Sequence, residues 1–339
     1  MSWKVLTTKS VVRSMPEISV DLAIVGAGPT GLYAAYYAGF RGLSTVVADA
    51  LPEPGGQITA MYPEKLIFDV AGFPEIKGRD LVDNLVRQAA PFSPSYLLGR
   101  RAERLAHVEG TPVLDFDDGT RVRCGAVVLT GGLGSFTSRP LPAAGDFTGE
   151  GVVYFVPELA DHAGRHVVIV GGGDSAFDWA LALHPLARSV TLVHRRESFR
   201  AHAATVARVR GLDVPLIVNA QVKRLIGEER VTGVEVEVEG EGEPRRLLAE
   251  TVVAALGFTA DLGPMTEWGL DIEKRRILVD SAMATNLPRV FAAGDITQYP
   301  GKVRLIATGF GEAATAVNNA AVAIDPAARL FPGHSSEGP

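Results

Sequence analysis

The feature that most constrains the fold of this chain is a strand–turn–helix pattern that occurs twice. The first copy, VDLAIVGAGPTGLYAAYYA, begins at Val20, and the second, RHVVIVGGGDSAFDWALAL, begins at Arg165. In each copy a β-branched run typical of a buried parallel strand leads through a glycine-rich turn into apolar residues at helical spacing. A lone match of this kind is weak, but two matches in the same context predict two separate dinucleotide-binding units.

The small residues of both turns have the spacing that a bound pyrophosphate requires. The first glycine permits the tight turn, the second lets the pyrophosphate approach the backbone, and the third small residue lets helix pack on strand. The N–H groups at the start of the helix then hold the phosphates. The residues concerned are Gly26, Gly28 and Gly31 in the first copy, and Gly171, Gly173 and Ala176 in the second.

The strand that follows each unit distinguishes the two nucleotides. In the first unit STVVAD ends at Asp49, and a carboxylate there binds both ribose hydroxyls and repels a 2′-phosphate. In the second unit SVTLVHRR places His194 at the same offset, followed by Arg195 and Arg196. Arg200 lies close enough to join them, and guanidinium groups suit a dianionic phosphate. We therefore expect FAD at the first site and NADPH at the second. The alternative for the second site is a basic strand end that is simply solvated.

Composition limits the functions that are open to the chain. Its 339 residues predict more than one domain, and its formal net charge of −6 argues against nucleic acid as a partner. No segment has the character of a secretory signal or a membrane span, so we expect a cytoplasmic protein without a membrane partner. The single cysteine, Cys124, excludes an internal disulfide or dithiol and is typical of a small buried hydrophobe.

Two further segments separate FAD from NAD at the first site. LPEPGGQITAMYPEK begins at Leu51, just past Asp49, and contains Gly56, Gln57 and Tyr62. Near the C-terminus, RVFAAGDITQYPGKVRLIATGFGEAATAVNNA contains a short strand that ends at Asp295 and a glycine-rich turn that opens a helix. The positive end of that helix would face bound negative charge such as a reduced flavin.

These motifs resemble the two-dinucleotide flavoprotein family that includes thioredoxin reductase, and most closely its thioredoxin-reductase-like ferredoxin–NADP⁺ reductases. The likeness covers roughly Asp21 to Ser336 and rests on GGQITAMYPEK, FDVAGFP, GGGDSAFDWAL, HRRESFRAH, EWGLDIE, FAAGDI and GFGEAATAVNNA. It implies an α/β fold with two Rossmann-like domains, the NADPH domain inserted into the FAD domain. The expected boundaries are 1–135 and 259–339 for the FAD domain and 139–255 for the NADPH domain, joined by two short crossings that act as a hinge.

The resemblance also implies roles for individual residues. Asp49 would bind the adenosine ribose and Asp295 the ribityl chain, while Gln57 and Tyr62 would lie against the flavin. Tyr62 and His334 would cover the two faces of the isoalloxazine ring. On sequence grounds alone, the expectation for His334 would instead be a polar tail residue without a role. The remaining contacts that the resemblance implies are Thr30, Gly56, Phe136 and Ser336 for FAD, and Asp174 and Ser175 for NADPH.

The missing dithiol distinguishes the chain from thioredoxin reductases, which carry C-x-x-C in the nicotinamide domain. The corresponding segment, GVVYFVPELADHAGRHV, contains no cysteine, so electrons would pass directly from flavin to an outside acceptor. The leading interpretation is an NADPH-dependent reductase of ferredoxin, or of flavodoxin in its place, that forms a homodimer as the family does. The alternatives are an NADPH oxidase, a reductase of a separate disulfide protein, and a redox sensor that binds both nucleotides without efficient turnover.

Overall fold

The computed structural model describes residues 17–334, in which two mainly parallel sheets carry helices on their faces. The strands are β1 (Glu17–Val25), β2 (Thr45–Asp49), β3 (Leu66–Ile67), β4 (Ile76–Lys77), β5 (Ser95–Leu98), β6 (Ala102–Val108), β7 (Thr111–Phe116), β8 (Arg121–Leu129), β9 (Ser135–Ser138), β10 (Val152–Val153), β11 (His166–Val170), β12 (Ser189–Val193), β13 (Leu216–Ile217), β14 (Ala220–Gly227), β15 (Val231–Val238), β16 (Arg245–Leu248), β17 (Thr251–Ala254), β18 (Phe258–Asp261), β19 (Ile272–Glu273), β20 (Arg276–Leu278), β21 (Val290–Ala292) and β22 (Thr297–Gln298). The α-helices are α1 (Pro29–Phe40), α2 (Gln57–Met61), α3 (Gly78–Ala89), α4 (Asp174–Leu183), α5 (Ala203–Arg210) and α6 (Ile306–Ile324). Short 3₁₀ helices lie at Ala90–Phe92, Pro142–Ala144, Leu159–His162 and Gly263–Glu267.

The first sheet has the strand order β5-β2-β1-β8-β7-β6, with β21 also paired to β8. Strands β5, β2, β1, β8 and β21 are parallel, whereas β6 and β7 form an antiparallel extension. The central strands are rich in Val, Leu and Ile because both faces of a parallel sheet are covered. Since β21 comes from the C-terminal part of the chain, this sheet draws strands from both ends of the described residues.

The second sheet, ordered β10-β17-β11-β12-β13, is entirely parallel and lies between those two parts in sequence. An antiparallel sheet of β14, β15 and β16 packs beside it. The two passages of chain that join the units, β9 and β18, pair antiparallel with each other. The prediction of an α/β fold with one Rossmann-like unit inserted into another is confirmed, and the exact domain boundaries stay a prediction.

Small side chains let helices lie close to the first sheet on the face that carries α1 and α6. Ala34 and Ala38 of α1 and Ala313 and Ala316 of α6 are all buried in one apolar cluster there. The opposite face of the sheet has a separate core that includes Trp268. This packing fixes the N-terminal ends of α1 and α6 at the edge where the parallel strands end.

Among residues 17–334 no helix has the length and apolarity needed to cross a membrane.

Candidate functional site

The carboxyl ends of the parallel strands in the first sheet meet at a cavity of about 320 Å³. In open α/β sheets ligands bind outside these strand ends. The walls come from the turn after β1, the end of β2, α2, the loop after β8, β9 and the loop before α6. The residues predicted for FAD that line it are Gly26, Gly28, Thr30, Asp49, Gly56, Gln57, Tyr62, Phe136 and Asp295.

The glycine-rich turn after β1 has the shape of a pyrophosphate cradle. Gly26 has φ +115°, and a Cβ built on Gly31 would lie 1.8 Å from the Gly26 carbonyl oxygen, so neither position accepts a side chain. Gly28 has no atom within 4 Å of such a Cβ, although it lines the cavity. It also caps α1 without a side-chain hydrogen bond, which leaves the first N–H groups of the helix available to an anion. The turn therefore fits the group that the sequence predicts.

Asp49 lies at the end of β2 with its carboxylate held against this turn. Its Oδ2 accepts a hydrogen bond from the Ala27 N–H at 2.6 Å, and its Oδ1 accepts one from the Leu51 N–H at 2.9 Å. Burial raises the pKa of the carboxyl above its usual value, and the backbone hydrogen bonds oppose that shift. These bonds fix the orientation of the carboxylate at the cavity wall, as a ribose acceptor requires.

At another part of the cavity, Gln57, Tyr62 and Asp295 come from α2 and the loop after β21. Tyr62 is partly buried, and desolvation, followed by the charge of Asp295, raises the pKa of its phenol to about 12. The amide nitrogen of Gln57 lies 3.0 Å from the Cβ that Gly132 would carry. Phe136, on the first passage between the units, has its ring centroid 6.1 Å from that of Phe258 on the second. The chemistry here suits a flat, mostly apolar ring with a polar edge.

A buried ionic network behind Asp295 was not anticipated from the sequence. Glu312 of α6 accepts hydrogen bonds from the Gly294 N–H at 2.7 Å and from the Tyr299 hydroxyl at 2.5 Å. The Lys302 ammonium lies 2.5 Å from the same carboxylate, and the two side chains are 1% and 5% exposed. Burial, and then the hydrogen bond to Glu312, raises the pKa of Tyr299 to about 12. The network anchors the residue that precedes Asp295 to the second turn of α6.

The second glycine-rich turn, after β11, is folded against the segment that follows β12. A Cβ on Gly172 would lie 2.3 Å from the His194 ring, and the Arg200 N–H donates to the Gly172 carbonyl at 2.8 Å. Asp174, the first residue of α4, accepts a hydrogen bond from the His202 N–H at 2.8 Å. These contacts bring the basic segment to the same edge of the sheet as the turn. Gly171, Gly173 and Ser175 complete the turn and the exposed start of α4.

The arginines of this basic segment are not neutralised by ion pairs with residues that the structure describes. Arg195, Arg196 and Arg200 are exposed, and none of them forms an ion pair within residues 17–334. Burial, and then the neighbouring arginine charges, holds the pKa of His194 below its usual range despite a backbone hydrogen bond at Ser198 that raises it. A cluster of mutually repelling cations beside a phosphate cradle suits an anionic ligand.

The structure does not bring every predicted residue to the cavity. The His334 ring lies 5.2 Å from the Phe331 ring, and the nearby Leu330 carbonyl accepts a hydrogen bond from Arg41, just beyond the C-terminal end of α1. His334 is not part of the cavity wall in this chain. Ser336 lies outside the described residues. The predicted roles of both residues in covering the flavin stay predictions.

Two cavity residues that the sequence reasoning missed are Arg100 and Arg101. They follow β5, which pairs in parallel with β2, and the Arg100 N–H donates to the Asp49 carbonyl at 3.0 Å. The sequence does show two arginines shortly after the strand β5. To predict that they line the cavity, however, one has to know that β5 lies beside β2 in the sheet.

Cys124 is buried within β8, and desolvation raises the pKa of its thiol to about 12. A thiol with such a high pKa stays protonated at neutral pH, so Cys124 does not support thiolate chemistry.

In the part of the chain that the structure describes, no group of three or more His, Cys, Asp or Glu side chains is placed to hold a metal ion.

Each of the two parallel sheets carries a glycine-rich turn, and the next strand is followed by an acid in one sheet and by cations in the other. This arrangement is typical of proteins that bind two dinucleotides. A family model described as pyridine nucleotide-disulphide oxidoreductase matches residues 20–321. The chain belongs to this family. Its cofactors are FAD and NADPH, as its family and its two glycine-rich turns indicate.

Individual relatives cover almost the whole chain. It is 73% identical over 319 residues to a ferredoxin–NADP reductase of Salinispora arenicola, covering 94% of this chain and 99% of that protein. It is 47% identical over 323 residues to a ferredoxin–NADP reductase of Thermus thermophilus, covering 94% and 96%. Among solved structures, a T. acidophilum thioredoxin reductase has a TM-score of 0.75 at 27% identity, over 88% of this chain and 96% of that one.

Proposed function

We propose that this protein is a ferredoxin–NADP⁺ reductase, which takes a hydride from NADPH at its flavin and passes single electrons to a ferredoxin. The observation on which the proposal mainly rests is that the only cysteine of the sequence is buried and unreactive. The chain has one, Cys124, buried and with its thiol pKa raised to about 12, so no dithiol can relay electrons as in a thioredoxin reductase. The similarity to relatives named ferredoxin–NADP reductase supports the same acceptor.

The first cavity is the proposed FAD site. The turn from Gly26 to Gly31 binds the pyrophosphate through backbone N–H groups, and Asp49 orients the adenosine ribose. Gly56, Gln57 and Thr30 complete the wall, and Asp295 binds the ribityl chain. Tyr62 and Phe136 shield the ring from water, and Tyr62 remains a neutral phenol at physiological pH because its pKa is about 12. Bound FAD accepts a hydride and releases single electrons, which couples a nicotinamide to a one-electron carrier.

The second turn is the proposed NADPH site. The backbone from Gly171 to Ser175 holds the pyrophosphate, with Asp174 fixing the loop that follows β12 through the His202 N–H. Arg195, Arg196 and Arg200, together with His194, bind the 2′-phosphate. Since these guanidinium groups have no ion-pair partner within the described chain, the phosphate replaces only water around them.

The proposed domains are 1–135 with 259–339 for FAD and 139–255 for NADPH, and the β9–β18 pair is the hinge between them. Two strands of four residues each are a short connection, which permits rotation about their common axis. Small-angle scattering with and without NADP⁺ tests the hinge, and an unchanged profile would remove rotation as a required step. Homodimerisation, a cytoplasmic location, and flavodoxin as a substitute carrier stay predictions.

The proposed activity is tested with purified yellow protein, NADPH, a ferredoxin and cytochrome c. We expect cytochrome reduction that depends on the ferredoxin, together with loss of flavin absorbance when NADPH is added without it. Oxygen uptake is followed in parallel. If NADPH oxidation without a carrier is matched by oxygen uptake and is not accelerated by ferredoxin, the protein is an oxidase and the proposal is wrong.

A further inference from the structure

A second group of unpaired cations lies close to the flavin cavity, apart from the NADPH site. It consists of Arg275, Arg276 and Arg304, which we name the arginine patch. Arg275 lies in the turn between β19 and β20, Arg276 is the first residue of β20, and Arg304 lies in the loop before α6. Arg304 is distant in sequence from Arg275 and Arg276, and the pairing of β20 with β22 brings the two segments together.

The arginine patch makes hydrogen bonds to neutral groups only. Arg275 donates to the Ala260 carbonyl at 3.1 Å, and Arg304 donates to the Gln298 side-chain oxygen at 2.9 Å. Arg276 donates to the Arg275 carbonyl at 2.8 Å, while its Nε is buried and has no hydrogen-bond partner. None of the three forms an ion pair within residues 17–334.

Many other surface arginines of this acidic chain are neutralised by a neighbour. Arg224 pairs with Glu235 at 2.8 Å and Arg121 with Asp115 at 2.7 Å. Within the same hairpin Lys274 is paired with Glu273 at 3.4 Å, so it adds little net charge. The three arginines of the patch, by contrast, lie close together without an ion pair, which leaves a locally positive region on a protein of formal net charge −6.

The three charges are close enough to act on one another and on the cavity. Burial lowers the pKa of Arg276 most, Arg304 and Arg275 lower it further, and the Asp295 carboxylate opposes them. Asp295 lines the flavin cavity, and so does Leu305, the neighbour of Arg304. The arginine patch thus borders the site from which electrons must leave.

Exposed apolar side chains lie beside these cations. Val303 is 54% exposed and Leu305 is 39% exposed, on either side of Arg304 in the sequence. Apolar groups within a rim of arginines are typical of protein–protein interfaces, in which arginine is enriched and charge complementarity sets the association rate.

We propose that the arginine patch, with Val303 and Leu305, is the docking surface for an acidic iron–sulfur electron carrier. The inference rests on the proposed function and adds to it the place at which the carrier binds. Positive charge around the edge of the cavity attracts the carrier and holds its cluster near the flavin, and the apolar pair excludes water at the point of contact. A small uncharged acceptor needs no such surface.

The test compares two double variants with the same change of charge. Arg275→Glu with Arg304→Glu reverses the arginine patch and leaves Arg276, which adjoins Asp295, unchanged. Arg87→Glu with Arg188→Glu is the control, because both of its arginines are exposed and neither has an ion pair among residues 17–334. Each protein is assayed with NADPH and either a purified acidic [4Fe–4S] ferredoxin or the uncharged acceptor 1,4-benzoquinone, after its flavin content has been measured.

We expect the patch variant to lose about 10-fold or more in kcat/KM for ferredoxin at low salt, since steering by charge changes association by about 10–1,000-fold. Its turnover with 1,4-benzoquinone should equal that of the wild type and the control, since an uncharged acceptor is not steered by charge. At about 0.5 M salt, where charges are screened within several ångströms, the difference for ferredoxin should shrink.

The outcomes separate the docking inference from the proposed function. A wild-type protein that fails to reduce ferredoxin contradicts the function, whereas normal ferredoxin kinetics in the patch variant contradict the docking surface alone. An equal loss in the charge-matched control also overturns the inference, because only net charge would then matter. If sedimentation shows that the patch variant has changed its oligomeric state, the surface contacts a second copy of the chain and the inference is wrong.

Discussion

Removal of the Lys302 ammonium should destabilise the protein strongly, because Glu312 would keep a buried charge without its counter-charge. The two side chains are 1% and 5% exposed, and their charged atoms lie 2.5 Å apart. Breaking such a pair by deleting one partner costs about 3–5 kcal/mol. The Gly294 N–H and the Tyr299 hydroxyl still donate to the carboxylate. For Lys302→Met we therefore expect the lower end of that range, about 3 kcal/mol.

The same reasoning predicts that a second substitution repairs the first. In Lys302→Met with Glu312→Gln no charge is buried, and the glutamine oxygen still accepts hydrogen bonds from Gly294 and Tyr299. Replacing a whole buried ion pair by neutral groups is often close to neutral, so the double variant should lie within about 1 kcal/mol of the wild type. Arg304→Met, which removes an exposed cation two positions from Lys302, is the matched control and should leave stability unchanged.

The assay is equilibrium urea unfolding at one fixed excess of FAD, followed by circular dichroism and by flavin fluorescence. A fixed excess is needed because bound ligand adds to the free energy of unfolding by mass action. Since Glu312 holds the residue before Asp295, we expect flavin release to precede global unfolding in Lys302→Met. If that variant is as stable as the double variant, the ion pair does not compensate a buried charge and the reasoning is refuted.

Four further predictions concern the second site and the cysteine. Arg195→Ala with Arg196→Ala should reduce kcat/KM with NADPH by one to several orders of magnitude, at about 1.5–3 kcal/mol per charge-assisted contact, and an equal loss with NADH would refute the phosphate assignment. Adding NADP⁺ should raise the pKa of His194, which burial and then the arginine charges hold low, because an anion favours the imidazolium; NMR titration reads this directly, and an unmoved pKa contradicts it. Gly172→Ala should weaken NADP⁺ binding in calorimetry by displacing the His194 ring, whereas unchanged affinity would show that the ring yields freely. Cys124→Ala should keep full ferredoxin reduction, and a large loss would mean that the thiol takes part.

Local patterns predicted the parts of the fold that local physics determines. Both glycine-rich turns, the acid that ends β2, and the cations that follow β12 lie where the sequence places them, because strand, turn and helix are adjacent along the chain. The final helix, Ile306–Ile324, was also foreseen from its glycine-rich start and its small residues. The buried state of Cys124 followed from its place beside an apolar strand.

Contacts between distant segments could not be predicted in this way. The ion pair of Lys302 with Glu312 depends on how the loop before α6 turns back over that helix. The arginine patch depends on the pairing of β20 with β22, which brings Arg276 near Arg304. Both features are clear only after the chain has folded, because charged residues in loops are ordinarily solvated. The same limit applies to His334, whose place follows from the path of the C-terminal segment past Arg41.

The two proposed nucleotide sites combine the same backbone turn with different side chains at the next strand end. The Asp49 carboxylate contacts the N–H of Ala27, the residue between the first two glycines of its turn, and the His194 ring lies against Gly172, the corresponding residue of the other turn. A carboxylate leaves room for the alanine Cβ at the first site. An imidazole does not, because a Cβ on Gly172 would lie within 2.5 Å of three ring atoms. The middle glycine of the second turn, Gly172, is therefore explained by the histidine that replaces the acid, so the proposed choice of nucleotide involves the turn as well as the strand end.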